Sequence, residues 1–148
     1  MYDRILVPTD GSDHALAAAK HALELATTYD AELYALYVVD TGTSWLRLSR
    51  TDIQETLRGL AEDAGGQALS PIEALAENTP VTVVKELREG TPHEVIVAAV
   101  TDEDVDLVVM GTHGRDGIRH RLLGSVAERV VRGSDVPVMT VTAEETED

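Results

Sequence analysis

The stretch best equipped for chemistry is GTHGRDGIRHRLLGS, residues 111–125. Gly111 and Gly114 are separated by two residues, Gly114 and Gly124 by nine, and Ser125 follows directly. Glycine permits positive φ and lets the main chain approach a ligand closely. Gly111 and Gly114 are therefore expected to expose backbone N–H groups as an anion nest. Gly124 and Ser125 open a helical pattern, whose first N–H groups have no intrahelical partner and whose dipole adds partial positive charge. Phosphate is the natural guest of such a terminus. Arg115, Arg119, His120 and Arg121 bring further positive charge to a chain short of it. The spacing matches neither the dinucleotide fingerprint nor the P-loop, because no Gly-Lys-Ser/Thr occurs. A plainer account stays open. Ser125-Val-Ala-Glu128 has capping-box spacing, Gly117 then marks a turn, and the arginines form a solvated patch.

A second candidate is Pro8-Thr9-Asp10-Gly11-Ser12. Asp10 suits a ribose acceptor or a metal ligand; it also suits a turn ahead of a helix capped by Ser12. His14, His21 and His93 form no convincing metal set and read as solvated or partly buried rings. Asp102, Glu103, Asp104 and Asp106 lack the length and the terminal glutamate of an EF-hand loop, so they read as surface solvation.

These candidates need elements to hold them. Five apolar runs read as strands: 4–8, 32–39, 81–87, 106–110 and 137–141. Most are apolar on consecutive residues, as in a parallel sheet covered on both faces. Helical patterns alternate with them. The first runs from Asp13 to Thr28, with Ala15, Ala18, Ala19, Ala22 and Ala26 on one face. The second starts at Thr51, where Gln54 completes a capping-box spacing, and is expected to break at Gly65-Gly66 before Asn78-Thr-Pro80. Thr91-Pro92-His93-Glu94 starts the third, and the fourth runs from Ser125 towards Gly133. The βαβαβαβαβ order argues for a three-layer α/β sandwich with right-handed crossovers. With strand order 3-2-1-4-5, strands one and four are neighbours at the reversal point, and both candidate loops line one crevice. The loop 40–50, with the lone Trp45, is the longest irregular segment.

At 148 residues the chain is expected to form a single domain, 1–148, with residues 143–148 as an acidic tail. The absence of cysteine excludes disulfides, thiolate metal sites and a cysteine nucleophile. The net charge is −15, from 27 acidic and 12 basic residues. That balance disfavours nucleic acid and anionic membranes as partners. With only Lys20 and Lys85 as lysines, it fits a high-salt cytoplasm, where salt screens self-repulsion, or simply an acidic mesophilic protein. No run is apolar for long enough to span a bilayer, and the N-terminus lacks a signal-peptide pattern, so a cytoplasmic location is expected.

The opening RILVPTDGS, the strand ending YVVD, the EGTPHE stretch and DLVVMGTHGRDGIRHRLLGSVAERVVRGSDVPVMTV together resemble the universal stress proteins over essentially the full length. The retained G-x2-G-x9-G-S motif resembles that of the family's ATP-binding branch. The resemblance implies a Rossmann-like, adenine nucleotide alpha hydrolase-like fold with a five-stranded parallel sheet. It implies Asp10 at the ribose hydroxyls, Pro8 and Thr9 shaping the adenosine pocket, and Val38 meeting adenine through its backbone. Gly111, His113 and Gly114 would line the ribose and phosphate path; Gly124, Ser125 and Val126 would bind phosphate. It further implies ATP, or ADP or AMP, as ligand, with Mg2+ able to arrive alongside, and a homodimer through the last strand (Pro137, Val138, Met139, Thr140, Val141). An apolar edge strand needs a cover in any case. The expected role is a stress-response regulatory or signalling protein, at most a slow ATPase, with no catalytic residue and no metal site assigned. An ATP-hydrolysing or nucleotidyl-transfer enzyme, and a dimeric interaction module indifferent to nucleotide, remain the rivals.

Overall fold

A computed structural model describes residues 1–41, 51–113 and 123–143, with the side chains of 51–54 and 56–58 outside that description. The elements follow the expected alternation: β1 (Arg4–Pro8), α1 (Asp13–Tyr29), β2 (Glu32–Asp40), α2 (Thr51–Ala76), β3 (Val83–Gly90), α3 (Pro92–Asp102), β4 (Leu107–Gly111), α4 (Ser125–Gly133) and β5 (Val138–Val141). The five strands are parallel and ordered β3-β2-β1-β4-β5, as the sequence implied. Pro8 pairs in register with Leu36, while Ile5 and Leu6 pair with Leu107 and Val108.

Consecutive strand residues feed opposite faces. Ile5, Val7, Leu33, Ala35, Leu107 and Val109 pack under α1 and α2. Leu6, Tyr34, Leu36, Val108 and Met110 pack under α3 and α4. That two-sided burial is why the strands read as continuous apolar runs. On α1, Ala18, Ala19 and Ala22 are fully buried, so the helix axis lies close to the sheet. Ser12 caps α1, its Oγ accepting the Ala15 N–H at 3.2 Å. Asp30 ends it in the left-handed region at φ 55°.

Two local expectations are corrected. First, α2 does not break at Gly65-Gly66; it continues through both glycines and through Pro71. A Cβ on Gly65 would lie 2.6 Å from Leu87 Cδ1 and 2.9 Å from Tyr37 Cδ1. The missing side chain lets α2 sit close on β2 and β3, and packing there outweighs a propensity loss of about 1 kcal/mol. Second, β3 begins at Val83 rather than Val81, because Thr82 contributes only its carbonyl, to the Leu33 N–H at 2.9 Å. At the start of α3 the expected arrangement holds: Thr91 is the cap residue and Pro92 sets the first turn, with no side-chain capping bond from Thr91.

Candidate functional site

The end of β1 builds one wall. The Thr9 N–H donates to the Leu36 carbonyl at 2.8 Å, carrying the β1–β2 ladder one residue past Pro8. Pro8 and Thr9 are buried. The chain then turns on itself: Thr9 Oγ1 accepts the Gly11 N–H at 3.1 Å, and Asp10 Oδ1 accepts the Ser12 N–H at 2.9 Å. Gly11 takes φ 83°, which an L side chain would strain. The half-buried Asp10 carboxylate is thereby oriented by its own turn. Val38 sits half-buried in β2, two residues beyond the partner of Pro8.

The end of β4 builds the other wall. Gly111 is the last residue of β4 and pairs with Val141. It does not adopt positive φ, so its half of the expected anion nest is not formed. Its glycine has a packing cause instead. A Cβ there would lie 2.7 Å from His14 Cβ, 2.8 Å from His14 C and 3.0 Å from the Ala15 nitrogen. The first turn of α1 rests directly on this strand end.

Thr112 follows, buried, and organises the surroundings. Its N–H donates to the Val141 carbonyl at 2.9 Å, and its carbonyl accepts the Gly124 N–H. Its hydroxyl lies 3.2 Å from Thr142 Oγ1 and 3.1 Å from His113 Nδ1. Gly114, Arg115, Gly117, Arg119, His120, Arg121 and Trp45 lie outside the described residues.

The Thr112–Gly124 bond brings the start of α4 to the same place. Gly124 is the cap residue, with no side-chain capping bond, and Ser125 is the first helical residue. The capping-box account of Ser125 is therefore corrected. Glu128 instead pairs with Arg132 at 2.9 Å. The first bond of α4 runs from the Glu128 N–H to the Gly124 carbonyl at 2.9 Å. The N–H groups of Ser125, Val126 and Ala127 thus have no acceptor within the helix. Ser125 is exposed, and Val126 is half-buried against the α3–α4 core.

Strand pairing and these bonds gather Pro8, Thr9, Asp10, Gly111, His113, Gly124, Ser125 and Val126 at the carboxyl ends of β1 and β4. The chain leaves β1 towards β2 on one side and returns as β4 on the other. This is the reversal point where open parallel sheets take ligands. The crevice offers a carboxylate acceptor on one side and main-chain donors with the positive end of a helix on the other. That donor set fits a ribose linked to phosphate.

Sequence reasoning read His14 as a solvated or partly buried ring, and it is half-buried, but its partners went unseen, as did Thr112 and Thr142 altogether. His14 Nδ1 accepts the Ala143 N–H at 2.9 Å, and its ring lies 5.5 Å from that of His113. No local pattern signals a contact between residues 129 positions apart. Within the acidic run Asp102 and Asp104 are exposed, as expected, while Glu103 and Asp106 are half-buried, and three of the four carboxylates have partners that the sequence did not signal. Arg88 binds Glu86 at 3.1 Å, Asp102 at 2.9 Å and Glu103 at 3.0 Å. Asp106 Oδ2 accepts the N–H groups of Asp3 and Arg4. Burial, then the hydrogen bond and charge of Glu103, push the Glu86 carboxyl above its usual range against the pull of Arg88. Burial raises the Tyr34 hydroxyl, with Glu32 and Glu103 adding to it and Arg4 opposing. Burial would lower the Arg88 guanidinium, but its carboxylate partners outweigh that and hold it above its ordinary value. Among the described residues, no group of three or more ligating side chains is placed for a metal. Nor is any described helix long and apolar enough to cross a membrane.

The sequence profile of the universal stress protein family matches residues 1–142. The chain belongs to the universal stress protein family. Among its relatives, the universal stress protein MJ0531 of Methanocaldococcus jannaschii is 42% identical over 141 residues, covering 95% of this chain and 82% of that one. Among solved structures, MJ0577 superposes with a TM-score of 0.80 at 32% identity, covering 99% of both chains. A universal stress protein in complex with cAMP superposes with a TM-score of 0.74 at 26% identity, covering 97% of this chain and 99% of that one. Family membership and fold thus agree with the five-stranded sheet described above.

Proposed function

We propose that this chain binds an adenine nucleotide in the crevice between the ends of β1 and β4 and acts as a stress-response regulatory or signalling protein. The observation that carries this reading is the Thr112–Gly124 bond. It ties the start of α4, whose first N–H groups have no acceptor within the helix, to the residue after β4, the strand beside β1. Asp10 holds the ribose hydroxyls, Pro8 and Thr9 shape the adenosine pocket, and the Val38 backbone meets adenine. Gly111, His113 and Gly114 line the path to the phosphates, which Gly124, Ser125 and Val126 bind. Charge-assisted bonds of this kind are each worth about 1.5–3 kcal/mol. The related protein solved with cAMP supports an adenine nucleotide as the ligand class. ATP, ADP or AMP is the preferred form, with Mg2+ entering on the phosphates.

The groups offered bind and orient, and turnover is expected well below the roughly 1 s⁻¹ of an ordinary enzyme. The whole chain is taken as one domain in the cytoplasm. Two copies pair through β5, whose four residues are only partly covered within one chain. The test is calorimetry with ATP on the wild type and on the Gly114→Val, Gly124→Val double variant. Tight binding by the wild type and loss in the variant are expected; equal binding by both removes the site. Mass spectrometry of whatever copurifies identifies the nucleotide.

A further inference from the structure

We propose that His14 is a further ligand-positioning residue of the crevice. Its ring straps the exit of β5 to α1 through Nδ1 and presents its Nε2–H towards the phosphate side of the ligand. The proposal rests on the adenine-nucleotide reading above. His14 is the second residue of α1, half-buried at the carboxyl end of the sheet. Its Nδ1 accepts the Ala143 N–H at 2.9 Å. A ring nitrogen that accepts carries no proton, so the neutral ring holds its proton on Nε2. The ring is therefore a donor at its outer end, the polarity that a phosphate oxygen requires.

Three features fix where the ring stands. Gly111 has no side chain, and His14 Cβ occupies the space 2.7 Å from where its Cβ would be. The His113 ring lies 5.5 Å away, centroid to centroid, tilted by 57°. The exit of β5 is itself pinned, through the Thr142 hydroxyl on Thr112 Oγ1 at 3.2 Å and the Thr112 N–H on the Val141 carbonyl at 2.9 Å. The bond from the Ala143 N–H favours the ring orientation and the tautomer that leave Nδ1 as the acceptor. Two imidazoles thus flank the Gly111–Thr112 step that opens the glycine loop.

Two variants separate the strap from the donor. Asparagine places its amide oxygen near the position of Nδ1 and has no outer donor. Glutamine reaches the position of Nε2 with an N–H donor and gives up the near acceptor. The experiment uses the full chain, histidine nitrogen chemical shifts, exchange of the Ala143 amide, and calorimetry with ATP and with adenosine. In the wild type, His14 is expected as the Nε2–H tautomer. His14→Asn is expected to keep the Ala143 amide protected and to bind adenosine normally. Its ATP affinity should fall about ten-fold or more, the loss of one bond to a charged group. His14→Gln should stay within about three-fold of the wild type for ATP. An Nδ1–H tautomer in the wild type, or equal ATP affinity in wild type and His14→Asn, overturns the proposal alone. A wild type that binds neither ATP nor adenosine overturns the nucleotide reading and the donor role with it, and the tautomer measurement then speaks only for the strap.

Discussion

Gly111→Ala tests the packing of α1 on the end of β4, on which the geometry of the crevice depends. Adding a methyl group to a strand glycine ordinarily helps, by about 0.5–1 kcal/mol, because the unfolded chain loses freedom. Here the new Cβ would lie 2.7 Å from His14 Cβ and 2.8 Å from His14 C. Carbon atoms in contact prefer about 3.5–4.0 Å, so the first turn of α1 has to retreat by roughly 0.8 Å. One of the two atoms is backbone, and no rotamer change relieves it. Overpacking of this kind costs about 1–3 kcal/mol, which outweighs the entropic gain. The expected outcome is a lower urea midpoint at unchanged m-value, and a Tm lower by about 3 °C for each kcal/mol. ATP affinity should fall too, because Asp10 and His14 move with the turn. Gly66→Ala is the control. It lies exposed in the same fold with nothing within 4 Å of its Cβ, and should gain about 0.5–1 kcal/mol. A Gly111→Ala variant as stable as the wild type, with Gly66→Ala behaving as stated, would refute the packing argument.

Arg88→Met leaves Glu86, Asp102 and Glu103 without their shared cation. A loss of about 1–3 kcal/mol in urea denaturation at pH 7 is expected, shrinking as the carboxylates protonate in acid; no shrinkage would sink the account. Glu86 tests linkage in the opposite direction. Its folded-state carboxyl titrates above the ordinary 4.5, so the stability it contributes is complete below that value and is lost as pH rises through the folded value. Glu86→Gln should therefore gain stability relative to the wild type as pH is raised from about 4 to 7, read from midpoints across that range. Gly11→Ala, at φ 83°, should cost about 1–2 kcal/mol by thermal denaturation and loosen the turn that orients Asp10.

Much of the architecture was legible because its causes are local. Consecutive apolar residues in 4–8 and 106–110 demand cover on two faces, and that demand already means a parallel sheet between helix layers. The cap at Ser12 and the glycines at 111 and 124 are short-range signals of the same kind. The break expected in α2 failed because Gly65 answers to Tyr37 and Leu87 rather than to its own helix. The partners of the carboxylates at 102, 103 and 106 went unseen because Arg88 and the amides of Asp3 and Arg4 are distant in the chain. Residue types and periodicity thus determined the order of elements along the chain, and the family resemblance supplied the strand order that sets the reversal point. Tertiary structure alone decided that Gly111 serves helix packing, that Gly124 rather than Ser125 caps α4, and that His14 meets Ala143. The physical reason is range. Propensity and pattern act over a few residues, whereas these bonds close across as many as 129 positions, and only the folded sheet brings their ends together.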